Sequence, residues 1–195
     1  MIGDLRAAEN MVAGVDSLSR LARQAQDGDA RALDAFVRAT YDQVWRLCAT
    51  VVDAQSADDL SQETFTQAVR AFPRFRGESS ARTWLLAIAH HVCLDELRRR
   101  AGRRGRPVPV DAGRWAGAVD AGDEVAVTDL IGRLGPDRRA AFVLTQVLGL
   151  SYAEAARVCG CPLGTVRSRV ARARADLVEL LGAAEDEGPR RSSSA

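Results

Sequence analysis

Leu150–Leu177 reads LSYAEAARVCGCPLGTVRSRVARARADL, and the way this stretch folds decides the rest. Ser151 and Glu154 make the S-x-x-E signature of a capping box, which predicts a short helix starting there and running toward Cys159. Gly160 can stop that helix in the left-handed conformation, and Pro162 suits the opening turn of a second one. A short helix, a tight turn and a longer basic helix make a helix-turn-helix. On the second helix Val166, Val170, Ala173 and Leu177 recur at spacings of 4, 3 and 4 and form a buried stripe. At about 100° per residue, Ser168, Ala171, Arg172 and Ala175 fall on the opposite ridge, flanked by Thr165, Arg167, Arg169 and Arg174. Small residues on that ridge let a helix sit deep in a major groove while arginines reach base edges and phosphates. An amphipathic hairpin with a solvated arginine face has the same apolar pattern; the cap and turn together favour DNA binding.

Upstream of this stretch, Pro136–Asp137 opens a helix whose Ala140, Ala141, Val143, Leu144, Val147 and Leu148 can pack on the helix-turn-helix, and Gly149 ends it. Val125, Val127, Leu130, Ile131 and Leu134 predict a shorter helix before Gly135–Pro136. Residues 102–122 change character, being rich in Gly, Ala and Pro with little periodicity. Such a segment exceeds the ~12 to 15 residues a compact domain leaves unstructured, so it reads as a linker, with Trp115 a weak hint of a docking contact. It divides the chain into helical domains at 17–101 and 123–181. Residues 1–16 read as a flexible leader and 182–195 as a polar, disordered tail.

The first domain is helical throughout. Leu18, Leu21, Ala22 and Ala25 share a stripe that ends at the Asp27-Gly28-Asp29 turn. Ala30 to Val52 continues with Leu33, Phe36, Val37, Val44, Leu47 and Cys48 at helical spacing, Tyr41 and Trp45 packing beside them. Ser56 is expected to cap a third helix with Leu60, Thr64, Ala68 and Phe72 inside. Asp58 and Asp59 suit its positive dipole end and, with Gln62 and Glu63, give an acidic outer face. The break PRFRGESS (73–80) sets Arg74, Arg76 and Arg82 around Phe75, Ser79 and Ser80. A basic loop with hydroxyls and an aromatic suits single-stranded nucleic acid, and it also suits a mere connector. Thr83–Arg100 spreads apolar residues over more than one face, as the central helix of a bundle does, and it ends in Arg98, Arg99 and Arg100. With Arg103, Arg104 and Arg106 this makes six arginines in nine residues, a cluster of the kind that contacts phosphates. The fold class is all-α: two small helical domains joined by a long linker.

Composition narrows the function. Hydrophobic residues make up 47% and charged ones 27%, ordinary for a globular chain, and the net charge is +1. Nucleic-acid binding therefore has to be argued from where the charges sit. All 27 basic residues are arginine, as in a GC-rich genome. Apolar runs fall short of the ~20 residues a bilayer requires, and Met1–Val15 lacks a secretory pattern, so a cytoplasmic location without membrane contact is expected. Cys48, Cys93, Cys159 and Cys161 read as small hydrophobes, and His90, His91 and Cys93 form neither a metal set nor a catalytic one. No phosphate loop or triad appears, so the expectation is no enzyme, no cofactor and no metal.

Both halves resemble one family. ADDLSQETFTQAVRAFPRFRGESSARTWLLAIAHHVCLDELRRR is similar to region 2, and LGPDRRAAFVLTQVLGLSYAEAARVCGCPLGTVRSRVARAR to region 4, of the extracytoplasmic-function (ECF) sigma factors of the sigma-70 family. Details lean toward the sigma-C-like actinobacterial type. The resemblance implies a transcription-initiation protein that binds core RNA polymerase and promoter DNA, both duplex and melted non-template strand. It implies docking on the β′ clamp helices through Asp58, Asp59, Gln62, Glu63 and Phe65. It implies −10 recognition through Arg74, Phe75, Arg76, Ser79, Ser80, Arg82, Thr83, Trp84, His91, Arg98 and Arg99. Reading of the −35 element falls to Thr165, Arg167, Ser168, Arg169, Arg172 and Arg174, with the β flap a further contact and an anti-sigma factor a candidate partner. His91 stands where many members have Asn, and Ala171 where the residue is often larger. A helix-turn-helix regulator that recruits no polymerase is the alternative.

Overall fold

In the computed structural model, the backbone is described for residues 17–104 and 130–187 and the side chains for 17–102 and 130–182. The described residues form helices and turns with no strand. We label the helices α1 (17–26), α2 (Ala30–Val51), α3 (Ala57–Ala71), α4 (Ala81–Arg104), α5 (Pro136–Phe142), α6 (Tyr152–Cys159) and α7 (Leu163–Glu187). The expected helix around Val125–Leu134 survives as a helical stretch at 130–132, and its earlier part, like Trp115 and Arg106, lies outside the described residues.

Each boundary has a local cause. Gly28 takes φ 94°, and Asp29 caps α2 by accepting from the amides of Arg31 and Ala32. Ser56 does not cap α3 as expected. Asp53 accepts from the Ser56 amide at the head of a 3-10 turn, and the Ser56 hydroxyl accepts from Arg100 instead. Helix α5 runs on into a π-helical stretch at Val143–Val147, where the Leu148 amide donates to the Val143 carbonyl. The wider turn shifts the face by one residue. Val143, Leu144 and Leu148 stay buried, while Val147, expected inside, faces solvent. Helix α7 continues to Glu187, so the helix outlasts the expected start of the tail at 182; residues 188–195 lie outside the described ones.

Helix α4 is central, packing on α2, α3 and α6. Phe36, Val44, Leu47, Leu85 and Leu86 fill the N-terminal module, and Val143, Leu144, Val158, Val166 and Val170 fill the C-terminal one. The two modules pack together, and their buried side chains form one continuous apolar cluster. Arg139 spans the seam at 2% exposure. It donates to the carbonyls of Thr50 (3.4 Å) and Val51 (3.1 Å) at the end of α2, and to those of Gly132 and Leu134 (2.8 Å) beside its own helix. The C-terminus of α2 carries partial negative charge that suits the cation. Burial pulls the guanidinium down to about 10, still charged at neutral pH.

Candidate nucleic-acid and polymerase interfaces

The helix-turn-helix forms from the capping box outward. Ser151 Oγ accepts from the Glu154 amide at 3.2 Å, and Glu154 Oε2 accepts from the Ser151 amide at 2.9 Å. Gly160 ends α6 at φ 60°, where an L side chain would be strained, and Pro162 leads into α7. Val166, Val170 and Ala173 are buried and Leu177 half-buried, as the stripe requires. Ser168, Ala171, Arg172 and Ala175 are all exposed, and so is Arg167. Thr165 is half-buried at the head of the helix. Two of the flanking arginines are turned back onto the protein. Arg169 pairs with Asp137 and lies 3.5 Å from Cys161 Sγ, and Arg174 donates to Gln146 at 2.7 Å. The free reading edge is thus narrower than the sequence suggests, and it centres on Arg167, Ser168 and Arg172.

The loop between α3 and α4 mixes exposed and buried groups. Arg74 and Arg76 are exposed, and Ser79 and Ser80 are half-buried. Phe75 is 8% exposed, its ring 5.0 Å from that of Trp84, which also meets Phe72 at 5.0 Å. That ring is therefore core-facing rather than free to stack on a base. Two hollows flank the loop, one of 530 Å³ bounded by Gln26 and residues 73–76, the other of 260 Å³ reaching Ser79 and Trp84. Arg82 and Thr83 face the other module. Arg82 donates to Gln43 and to the Leu148 carbonyl, and Thr83, 2% exposed, lies 3.4 Å from Glu154. Burial pushes the Arg82 guanidinium down, with the Glu154 charge opposing. Burial works against ionising Glu154, but its bonds to Ser151 and the charge of Arg82 outweigh that and hold it below the ordinary carboxylate range.

At the end of α4 the arginines have carboxylate partners. Arg98 pairs with Asp95 at 2.8 Å, Arg99 with Glu96 at 2.6 Å, and Arg100 with both Glu96 and Asp53. Burial disfavours the Asp53 carboxylate, yet Arg100 and the Ser56 amide pull it below its usual range. His91 is exposed, its Nδ1 bonded to the Ala87 carbonyl at 2.7 Å. His90 is 4% exposed, and its Nδ1 has no partner among the described residues. Burial foremost, then the neighbouring His91, lowers it to about 4.

The acidic face of α3 divides in two. Asp58 Oδ1 accepts from Tyr41 Oη at 3.0 Å and Trp45 Nε1 at 2.9 Å, tying α3 to α2. Phe65 is half-buried and stacks on Tyr41, with ring centroids 6.1 Å apart. Asp59, Gln62 and Glu63 point to solvent. The spacing of Tyr41, Trp45 and Asp58 could have shown the first pairing; nothing local in the sequence marks Gln26, Arg139 or the Leu148 carbonyl as contact points.

Among the described residues no cluster of three His, Cys, Asp or Glu side chains could hold a metal, and no helix is long and apolar enough to cross a membrane. Cys48 and Cys93 sit buried with their sulfurs 3.7 Å apart, and the Cys93 thiol is pushed up by its bond to Cys48 and by burial.

This pairing of a helical bundle bearing a basic loop with a capped helix-turn-helix is matched by known families over most of its length. Residues 36–103 match sigma-70 region 2, and residues 124–177 match sigma-70 region 4. The ECF RNA polymerase sigma factor SigC of Mycobacterium tuberculosis is 53% identical over 165 residues, 82% of this chain and 88% of that protein. Among solved structures, CnrH in complex with the cytosolic domain of CnrY aligns with TM-score 0.68 and 29% identity, covering 86% of this chain and 98% of that one. The sigma factor RpoE bound to the anti-sigma factor NepR from Bartonella quintana gives TM-score 0.68 and 26% identity, covering 76% and 96%. The chain belongs to the ECF sigma factors of the sigma-70 family.

Proposed function

We propose that this chain is a promoter-specificity subunit without catalysis of its own. It binds core RNA polymerase, reads the −35 element through α7, and opens the −10 element with the loop and helix α4. The observation that carries the reading is the exposed Arg167–Ser168–Arg172 ridge on a capped helix-turn-helix, in the same chain as a region 2 bundle with a basic loop. The polymerase surface is Asp59, Gln62 and Glu63 on the β′ clamp helices, with Asp58 and Phe65 holding that face in shape, and the region 4 module meets the β flap. The domains run 17–101 and 123–181, joined by the linker 102–122. The protein works in the cytoplasm on the nucleoid. That two solved neighbours are held by partner proteins supports an anti-sigma factor as a partner.

The packed modules imply a movement. The two promoter elements are centred about 25 base pairs apart, roughly 80 Å of duplex, whereas a 25-residue helix is only ~37 Å long. Arg82 and Thr83, assigned to the −10 element, are committed to the other module at Leu148 and Glu154. Promoter binding therefore requires the modules to part, and an extended linker of this length can span up to ~70 Å. A regulator that recruits no polymerase is less well supported, since the region 2 match would then have no role. Run-off transcription with core polymerase lacking any other sigma factor tests the proposal: specific starts on a promoter library are expected, and RNA absent from every template overturns it.

A further inference from the structure

The four cysteines divide into two pairs with different surroundings. Cys48 and Cys93 are wholly buried in the N-terminal module, their sulfurs 3.7 Å apart. Cys159 and Cys161 bracket Gly160 in the turn of the helix-turn-helix, and both are half-buried, so a small oxidant can reach them. Gly160, at φ 60° and ψ 35°, is the left-handed residue of a Schellman cap. The Cys161 amide donates to the Ala156 carbonyl at 3.1 Å and the Gly160 amide to that of Arg157 at 3.3 Å. A left-handed residue mirrors α-helical geometry, so the Cα atoms on either side of it lie about 5.4 Å apart. That spacing falls inside the ~4.4 to 6.8 Å that a disulfide spans, and the two thiols are within hydrogen-bond reach of each other. Arg169 Nη1 lies 3.5 Å from Cys161 Sγ, and its charge also acts on Cys159. Reactive cysteines occupy partly exposed, electropositive settings of this kind. Burial foremost, then Cys161, pushes the Cys159 thiol up to about 12. Cys159 therefore suits the part of the resolving thiol, and Cys161, with the guanidinium at its sulfur, that of the thiol oxidised first.

We propose that Cys159-Gly160-Cys161 is a reversible redox site, in which a peroxide joins the two sulfurs and so weakens the hold of α7 on duplex DNA. The effect on DNA rests on the reading of α7 as the −35 reader. In the first step the Cys161 sulfur attacks the peroxide: an S–O bond forms, the O–O bond breaks, and hydroxide leaves as water with the thiol proton. In the second the Cys159 sulfur attacks the sulfenic sulfur: the S–S bond forms, the S–O bond breaks, and hydroxide leaves as water with the Cys159 proton. Two thiols and one hydrogen peroxide thus give one disulfide and two waters, and a dithiol reverses the change by exchange. In a reducing compartment such a bond is transient, as a sensor requires. Closure draws the sulfurs from hydrogen-bond reach to covalent distance, and the turn has to take up the contraction. Helix α7 starts two residues beyond Cys161, and Arg167 and Ser168 lie within its first two turns. A recognition site must hold its groups to within about 0.5 Å, so the reading edge is displaced from its base contacts.

Trypsin cuts after Arg157 and Arg167, so one peptide, Val158–Arg167, carries both sulfurs. In the test the full chain is treated with hydrogen peroxide, the excess is destroyed with catalase, and free thiols are blocked before that peptide is weighed. A parallel sample receives core polymerase only after the peroxide is gone, and its binding to DNA with a matched or scrambled −35 element is read by fluorescence anisotropy. The peptide is expected to lose two hydrogens and to escape blocking. Affinity for matched DNA is expected to fall about five- to tenfold, with scrambled DNA bound as before. Dithiothreitol should reverse both changes. Cys161→Ser and, separately, Cys159→Ala should bind matched DNA as reduced wild type does and should lose the cycle of peroxide and reductant. Thiols that remain open to blocking, overoxidised sulfur in place of the disulfide, or a disulfide joining only Cys48 to Cys93 would overturn the proposal. So would a Cys159–Cys161 disulfide that leaves matched affinity unchanged, or a variant that keeps the cycle. If reduced wild type does not tell matched from scrambled DNA, the −35 reading itself falls, and the mass of the peptide still decides whether the redox pair exists.

Discussion

Two arginine-rich surfaces look alike in sequence and differ in what surrounds them. At the end of α4, Arg98, Arg99 and Arg100 meet Asp95, Glu96 and Asp53, so much of their charge is neutralised within the protein. Along α7, Arg167 and Arg172 stand in solvent beside small side chains and make no ion pair among the described residues; Asp176, one turn beyond Arg172, pairs with Arg138 instead. Within the denser cluster, the three arginines whose side chains are described are thus already paired, while the two on α7 are not. Local density of positive charge is a poor guide to a phosphate site; the nearest carboxylate decides. Arg139 is the limiting case, a buried cation whose two terminal nitrogens donate only to internal carbonyls, its Nε having no partner among the described residues.

The largest effect should come from that limiting case. Arg139→Met fills similar space but leaves the carbonyls of Val51, Gly132 and Leu134 without their donor in a buried seam. A loss of about 3 kcal/mol or more is expected in denaturant unfolding, from several buried acceptors at ~1 to 3 kcal/mol each. Small-angle scattering should show more expanded particles if the modules part before they unfold. Unchanged stability and an unchanged radius would mean that the seam is held by apolar contacts alone.

His90 sits where the two arginine surfaces approach, with His91 and Arg98 on its own helix and Asp137 and Arg169 across the seam. Its folded value of about 4 lies below the ordinary 6.5, so the unfolded chain binds a proton that the folded chain refuses. Stability is fully present above pH 6.5 and falls as pH drops toward 4, by about 3 kcal/mol over that range. His90→Gln should flatten that part of the stability profile. A profile equally steep in the variant would assign the acid sensitivity to carboxylates such as Asp53 and Glu154.

On α7 the comparison predicts a base-specific effect. Arg172→Ala should cost about 1 to 3 kcal/mol on matched −35 DNA and much less on a scrambled element. Equal losses on both, seen by fluorescence anisotropy, would reduce Arg172 to a phosphate contact like those first assigned to α4.

Much of this was legible because it is local. The capping box, the Gly160 stop and the buried stripe of α7 depend on residues within one or two turns, and each formed where the spacing placed it. The misplacements are long-range. Ser56 loses its capping role to Asp53 because Arg100, 44 residues away, takes its hydroxyl. Val147 faces outward because a π-turn inserts one residue per turn, which no apolar period encodes. Phe75 turns inward because Trp84 and Phe72 offer it a core, a fact of tertiary packing. Arg169 and Arg174 sit on the expected flank, but partners on other elements, Asp137 and Gln146, claim them.

The smallest expected effect is the most discriminating one. Arg100 joins α4 to the α2–α3 junction through Asp53 and Ser56, and burial, though it disfavours the cation, is outweighed there by Glu96 and Asp53, which raise its pKa. The group is only partly buried, so Arg100→Ala should destabilise by about 1 to 2 kcal/mol, between the worth of a surface pair and that of a buried one. Because its charge is already matched, the slope of DNA affinity against salt should stay as in wild type, whereas Arg167→Ala should reduce that slope by about one. Should Arg100→Ala instead reduce the slope without lowering the melting temperature, the pairing at the end of α4 would have to open on DNA, and the contrast between the two surfaces would be one of state rather than of position.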